Sequence, residues 1–480
     1  MSTELVDLVP YMKDSYTALM SKEIPLPDCV VMPESREEVQ KIVRLANKYQ
    51  TPVYPRSFGI NIAGSAIPYQ GGVVIDLRRM NRILEINEDT MTAYIEPGVS
   101  WGLLRKEARK KRLDVIPIGG PYDTGPVGNF LLTNITPYST KYSADRAVTL
   151  EAVLPNGEIL RTGSQATGRG AELNPYFRYA YGPDLTGLFR GSLGNFGIIT
   201  RLMIRLRPLA EVEETIYFAF DSLEPALGAM KSIERLEITR YSMLSNRQLA
   251  ERIVIHPEDL RDTGKREAGT AALPPYQLAV GLGGKPRQID LYEEMVGEEI
   301  AAAGGREALF DDGLRVVLDE MTEGASQKVL RMYAPDAGFA AVIGCVRPAV
   351  AKDLNKVVRE AVEKYGLRDT LSGLPLEPEL IIIPYDRCST VYVEHEILYD
   401  PLDAESVRLV NNCLRECYAR FVLDYGAVHT MPNRSLLKVM DPGYAGLLTG
   451  IKKLVDPNGI MLPGGPYTLD NEAGTAAQGR

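Results

Sequence analysis

Between Pro55 and Gly64 the chain reads Pro-Arg-Ser-Phe-Gly-Ile-Asn-Ile-Ala-Gly, a composition suited to turning several backbone N–H groups towards one point. Converging amides can hold an anion, and a pyrophosphate is a group that such a nest satisfies. Gly59 and Gly64 supply the bare backbone that a close approach needs. Alone, a loop of this kind is as readily a structural turn, and it lacks the spacing of a G-x-G-x-x-G fingerprint.

Proton chemistry has few candidates, because the histidines are His256, His395 and His429. His429, in DYGAVHTMP, could accept a hydroxyl proton or balance a negative charge as an imidazolium; as a hydrogen-bonded structural histidine it would do neither. His395 stands in VYVEHEI, where strand alternation sets it with Val391, Val393 and Ile397 on an apolar face, the setting of a satisfied core histidine. Tyr385 and Arg387, in IIIPYDRCS, add a phenol and a guanidinium able to clamp a carboxylate, although a surface position suits them as well. His256, in VIHPEDL, reads as a loop residue. The five cysteines lack the spacing of an iron–sulfur ligand set, and Cys413 and Cys417, four apart in NNCLRECYARF, read as two half-buried thiols on one helix face. No metal is expected.

The elements that must position these groups alternate. Residues 35–49 predict a helix with Val39, Ile42, Val43 and Ala46 on one face behind a Ser35/Glu38 capping box. Strands follow at 71–77 and 92–98, then a helix near 100–112, a hairpin over 147–160 turning at Pro155-Asn156-Gly157, and a strand over 197–208. The pattern changes near 210. Helices near 223–236, 289–304 and 403–421 mark a second unit, and the turn-rich end, KKLVDPNGIMLPGGPYTL, returns to the first.

At 480 residues, 45% of them hydrophobic, the chain can bury more than one core. Its net charge of -9 is spread along the sequence, which argues against a nucleic-acid groove. The beginning carries Glu4, Asp7 and Asp14 where a signal peptide would be basic and then apolar, and no run approaches ~18 uninterrupted apolar residues. Few, odd-numbered cysteines fit a reducing compartment. A cytoplasmic protein without a membrane span is the expectation.

In order, the chain carries PESREEVQKIVRLANKY, PRSFGINIAG, GGVVIDLRRMNRIL, AYIEPGVSWGLL, GGPYDTGPVGN, EAVLPNGEILRTG and YGPDLTGLFRGSLGNFGIITRLMIRLRP. In this series it closely resembles the FAD domain of the vanillyl-alcohol oxidase and 4-cresol dehydrogenase family, with a PCMH-type FAD-binding fold. The resemblance covers residues 28–210 and resumes at 445–465, where VDPNGIMLPGG is similar to the closing DPNGI-x-x-PG motif. It implies an α+β protein with an FAD-binding domain over 1–210, its body at about 25–208, and a cap or substrate domain over 211–440. That cap would be a mixed or antiparallel sheet covered by helices, and 441–480 would return to the FAD domain.

The resemblance also implies site roles. Pro55, Arg56, Ser57, Phe58, Gly59, Ile60 and Asn61 would wrap the FAD pyrophosphate, with Gly64 permitting close approach. Gly125, Gly128 and Asn129 would run beside the cofactor, with Thr133 and Asn134 as hydrogen-bonding partners, and Gly194, Gly197, Ile198 and Ile199 would hold the adenosine half. The reaction implied is hydride transfer to flavin N5 from a carbon that bears a hydroxyl or adjoins an aromatic ring. In that setting His429 would take a hydroxyl proton or face the reduced flavin's N1–C2=O edge, while His395, Tyr385 and Arg387 would meet the substrate from the cap.

Departures from the family pattern narrow these implications. The PRSFGINIAG loop has no histidine and Met431 stands where a vanillyl-alcohol oxidase tether would sit, so noncovalent FAD is expected, although the 25 tyrosines leave a tyrosyl link open. Residues 425–430 read Tyr-Gly-Ala-Val-His-Thr where a Tyr-Arg pair would bind a phenolate, and Ile62-Ala63 replaces a tyrosine, which puts a para-alkylphenol substrate in doubt. A glycolate or D-lactate dehydrogenase-like subunit is the nearest alternative, but the His-Gly-Asp-Gly-Asn-x-His segment of those enzymes has no counterpart. An electron-relay subunit without substrate chemistry is the alternative from another class, and a bicovalent carbohydrate-type oxidase is disfavoured by the absent loop histidine. The expectation is a dehydrogenase acting on a small molecule, passing electrons to an acceptor such as a cytochrome or iron–sulfur subunit, with a homodimer, the commonest closed assembly, as the default oligomer.

Overall fold

Ser35 accepts a hydrogen bond from the amide of Glu38 and starts helix α1 (Arg36–Tyr49), which buries Val39, Val43 and Ala46. The helix carries the chain from strand β1 (Cys29–Val31) to β2 (Val53–Arg56), both of which pair in parallel with β3 (Val73–Asp76). In this computed structural model the described residues are 1–12, 19, 24–60, 64, 67–115, 122–132, 146–168, 175–254, 264, 273–308, 338–370, 372–428 and 440–465.

A second, antiparallel sheet follows, of β4 (Ile83–Asn87), β5 (Thr92–Ile95), β6 (Leu113–Val115), β7 (Ala147–Val153), β8 (Ile159–Arg161) and β9 (Ile198–Pro208). Its order is β4-β5-β9-β7-β8, with β6 paired to the far end of β9. Between β5 and β7 lie helices α2 (Trp101–Arg109) and α3 (Pro126–Leu132). Every residue of β7 is buried, so Glu151 must be compensated: its carboxylate accepts from Arg36 at 3.0 Å, Arg161 at 3.1 Å and Thr200 at 3.1 Å. Gly157, at φ 81°, turns the β7–β8 hairpin.

Beyond Pro208 the chain builds an antiparallel sheet that is seven-stranded among the described residues. Its strands are β10 (Val212–Phe220), β11 (Tyr241–Asn246), β12 (Tyr276–Gly284), β13 (Arg306–Glu307), β14 (Gly338–Val346), β15 (Glu379–Tyr385) and β16 (Thr390–Tyr399), in the order β13-β10-β12-β11-β15-β16-β14. One face is covered by helices α4 (Leu223–Arg235), α6 (Pro286–Ala302), α7 (Ala351–Lys364) and α8 (Ala404–Tyr425), in the largest apolar core of the described residues. At ~1.5–3 kcal/mol for each fully buried aliphatic side chain, this core fixes the sheet's register. The other face carries a smaller cluster of Tyr241, Met243, Ile343, Ile383 and Tyr392. Helix α5 (Arg247–Val254) packs at the β11–β15 end.

After α9 (Pro442–Val455) the chain crosses back. Asp456 accepts from the amides of Ile460 and Met461 and from Lys452 Nζ, which gives the Asp-Pro-Asn-Gly turn its shape. Val53, at the start of β2, then holds the returning chain from both sides, its N donating to Ile460 O at 2.8 Å and its O accepting from Leu462 N at 3.0 Å. The fold is α+β, as expected, and the cap sheet resolves the earlier choice in favour of antiparallel pairing.

The two halves are tied by buried charge. Asp114, on β6, accepts from Arg105 at 3.2 Å and Arg109 at 2.9 Å and lies 3.5 Å from Arg207 and 3.8 Å from Arg240. Glu213, on β10, pairs with Arg109 and Arg240. Removing one member of such a cluster would leave the others uncompensated.

Candidate functional site

Strand β2 ends at Arg56, and the loop after it forms one wall of a cleft. Its walls are Pro55, Arg56, Ser57, Phe58, Gly59 and Ile60 on one side and Thr124, Gly125, Val127, Gly128, Asn129, Leu131 and Leu132 on the other, with Leu77, Pro97 and Leu193 at the base. Among the described residues, the amides of Ser57, Phe58, Gly59 and Ile60 have no hydrogen-bond partner. Backbone donors left without protein partners beside a cleft are available to solvent or to a bound anion. Gly59 takes φ 72°, a conformation that favours glycine.

The two walls meet so closely that only glycine fits. A Cβ on Gly125 would lie 2.8 Å from the Phe58 ring and 3.1 Å from the carbonyl oxygen of Val99. One on Gly128 would lie 3.2 Å from Ser57 Oγ. Asn129 is anchored by Trp101, whose indole N–H donates to Asn129 Oδ1 at 2.6 Å. Behind the cleft, Gly194 (φ 88°) abuts Pro55 and Leu462, and a Cβ on Gly197 (φ 151°) would meet the Val153 carbonyl oxygen at 2.8 Å. Ile198 and Ile199 begin β9 as buried core residues. Gly64 accepts a hydrogen bond from the Tyr69 hydroxyl at 2.6 Å. Arg56 turns its guanidinium over the Tyr11 ring, 5.0 Å from its centroid. Partnerless amides, glycine-thin walls and the absence of any acidic side chain from the lining suit the pyrophosphate of a dinucleotide, so the residues present fit FAD. Asn61, Thr133, Asn134 and His429 lie outside the described residues, as do Met431 and His256.

A line of interactions leads from the cleft towards the cap sheet. Trp101, which holds Asn129, lies under the guanidinium of Arg146 at 5.2 Å. Burial, and then the neighbouring Arg207, push Arg146 down to about 9, while Tyr385 and Tyr122 act in the opposite direction. Tyr385 closes β15 beside the cluster of Tyr241, Met243, Ile383 and Tyr392. The cap face away from the helices is therefore turned towards the FAD-binding half.

Two sequence expectations are corrected by these positions. His395 is fully buried, and its Nε2 lies 3.0 Å from Asn355 Oδ1 on α7. Alternation along β16 places it with Val391, Val393 and Ile397 against the helices, on the opposite side from Tyr385. Burial pushes its imidazole down to about 3, so it stays neutral and makes a poor base. Arg387 sits in the β15–β16 turn, where Asp386, Arg387 and Cys388 all take positive φ. The pairing of Tyr385 with Thr390 leaves those residues outside the ladder, and Arg387 reaches Glu237 at 2.7 Å, both side chains more than half exposed. It is a surface ion pair.

Sequence reasoning missed the other half of β16. The alternation that sends His395 into the core sends Tyr392, Glu394 and Glu396 to the opposite face. The Tyr392 hydroxyl donates to Glu394 Oε2 at 2.8 Å. Burial pushes the Glu394 carboxyl up to about 7, against the smaller lowering effect of that hydrogen bond. Glu396 lies opposite Glu379 on β15; burial raises both, and Arg252, which binds Glu379 at 2.5 Å and also Asp369, offsets part of the cost. The signal was available as carboxylates two apart in an otherwise apolar strand.

Comparisons with known proteins match this geometry. Residues 27–163 match the FAD binding domain family. The hydroxylating 4-cresol dehydrogenase flavoprotein subunit of Pseudomonas putida is 26% identical over 95% of this chain and 90% of its own length. A glycolate oxidase subunit of Bacillus subtilis is 31% identical, but over 43% of each chain. Among solved structures, a 4-ethylphenol oxidase from Gulosibacter chungangensis superposes with a TM-score of 0.82 at 23% identity, covering 97% of this chain and 94% of that one.

Proposed function

Because this chain belongs to the vanillyl-alcohol oxidase and 4-cresol dehydrogenase family of FAD-dependent oxidoreductases, we propose that it oxidises a small molecule at a C–H bond that bears a hydroxyl or adjoins an aromatic ring. The observation that carries this reading is the pairing of a glycine-thin, amide-lined cleft with a cap face that bears ionisable side chains. Bound FAD supplies the two-electron oxidant, accepting a hydride at N5.

The chain's own residues bind, orient and exclude water. Backbone amides at Ser57–Ile60 hold the pyrophosphate, and Gly125 and Gly128 let the second wall close on it. The apolar side chains of Met243, Ile343 and Ile383 keep the cap face dry, which strengthens each polar contact made there. Tyr385 and Tyr392 offer hydroxyls for orienting a substrate.

FAD is held without a covalent bond; the lack of a histidine in the 55–64 loop supports this. Electrons pass to an external acceptor rather than to oxygen, supported by the Pseudomonas putida relative being a flavoprotein subunit. A cytoplasmic location and a homodimer complete the reading, the former supported by five unpaired cysteines. His429 remains a proton-handling candidate of this site. A 2-hydroxy acid is the second reading, favoured by the match to a glycolate oxidase subunit.

Anaerobic titration with benzylic alcohols, alkylphenols and 2-hydroxy acids tests the substrate class. Bleaching of the flavin by one class identifies it. Reduction through a protein partner alone would show a relay instead. Acid precipitation tests the linkage: yellow supernatant is expected, and a yellow pellet would show a covalent bond.

A further inference from the structure

Glu394 is set apart from the other carboxylates of the cap face. Glu379 and Glu396 are register partners, and they share Arg252 and Asp369 in a network at the end of the sheet. Glu394 lies opposite Ile381 on β15 and Ile343 on β14, so hydrocarbon flanks it on both sides. Among the described residues its hydrogen-bond partner is the Tyr392 hydroxyl. It is partly accessible, and it shares its face with Tyr385, which acts electrostatically on Arg146 of the FAD-binding half. Among the described residues no cation pairs with it; a half-buried carboxylate flanked by hydrocarbon is costly to keep ionised without one, and such groups concentrate where proton transfer is done.

We propose that Glu394, oriented by Tyr392, is the proton acceptor for an alcohol substrate, a role that rests on the oxidoreductase reading above. The substrate's C–H bond breaks and its hydrogen leaves with the bonding pair to the flavin, which is reduced by two electrons. The O–H bond breaks with its electrons retained on oxygen, where they form the second bond of the new carbonyl. The O–H proton goes to Glu394 and then to solvent. One alcohol becomes one aldehyde or ketone, and FAD is the oxidant.

The other ionisable groups around Glu394 on β14, β15 and β16 are all raised as well. Tyr392 is held well above its ordinary value by burial and by Glu394, and Cys345 on β14 is pushed up to about 12 by burial. Glu379 and Glu396 are raised by burial, with Arg252 pulling the other way. Glu394 itself is pushed up to about 7 by burial.

The test uses FAD-loaded protein as wild type, Glu394→Gln and Tyr392→Phe, with flavin content and melting checked for each. Infrared difference spectra between about pH 5 and pH 9 read protonated carboxyl directly, bracketing the range in which a raised carboxyl titrates. The wild type is expected to lose a carboxyl C=O band with a midpoint near 7, Glu394→Gln to lack that band, and Tyr392→Phe to shift the midpoint upwards. Anaerobic flavin reduction by benzyl alcohol, vanillyl alcohol and D-lactate is the second readout. For the best of these the wild-type rate should rise through that midpoint, and in Glu394→Gln it should fall on the order of a hundredfold and lose the pH dependence. Glu394→Gln reduced as fast as wild type, or an infrared band unchanged in that variant, would overturn the proposal. A wild type that none of the three alcohols reduces would overturn the alcohol reading beneath it as well.

Discussion

The cleft of the FAD-binding half and the facing surface of the cap are built in opposite ways. The cleft works through backbone: amides at Ser57–Ile60, and glycines where a Cβ would collide. The cap face works through side chains, Tyr385, Tyr392, Glu394 and Glu396, carried on strands whose other face is ordinary apolar core. A backbone site needs small residues at fixed places and tolerates most other changes, so it leaves a readable pattern. A side-chain site can change its chemistry with one substitution, and relatives that share the cleft need not share the cap.

The most damaging change should be one that fills the cleft. Gly125→Val would press against the Phe58 ring and the Val99 carbonyl, and overpacking of about 1–3 kcal/mol corresponds to a roughly tenfold to hundredfold weaker Kd for FAD. Fluorescence titration with FAD checks this. Unchanged affinity would break the idea that the cleft is a backbone device.

The two faces of β16 can be set against each other next. His395→Ala should cost about 1–3 kcal/mol of stability in denaturant unfolding, while the rate per bound flavin stays within about twofold. Glu394→Gln should show the reverse, little loss of stability and a large loss of rate. Equal effects on rate would erase the distinction.

Their pH dependences should also have opposite signs. His395 is depressed from 6.5 to about 3 in the fold, so its contribution is complete above the unfolded value and is lost as pH falls through that window. Glu394 is raised from 4.5 to about 7, so stability associated with it is highest below 4.5 and is lost as pH rises to about 7. Glu394→Gln should therefore stabilise the protein at pH 8 by up to about 3 kcal/mol and by less at pH 5. Urea melts at the two pH values decide it. The smallest effect belongs to Arg387→Ala, whose exposed pair with Glu237 should leave melting temperature, flavin content and rate unchanged.

Much of the FAD-binding half was legible in the sequence for physical reasons. The Ser35 cap, the Pro155-Asn156-Gly157 turn and the Asp456 turn are local devices whose residues sit next to one another. The 55–60 and 125–129 loops declared themselves through glycine. The cap was legible in its helices and in the apolar face of β16, but not in which face mattered. Both faces of this sheet are covered, one by helices and one by the other half of the chain, so alternation no longer separates core from solvent. Alternation drew attention to His395 and passed over Glu394 and Glu396, and Arg387 stood as a candidate of the cap until strand pairing showed where the ladder ended.

The most direct test of the central claim, that the amide-lined cleft grips FAD, is the visible spectrum of purified protein followed by calorimetric titration with FAD. The account predicts a yellow protein, or colourless apoprotein that takes up one FAD per chain and turns yellow. Well-folded, colourless protein that gives no binding heat and acquires no colour would contradict it.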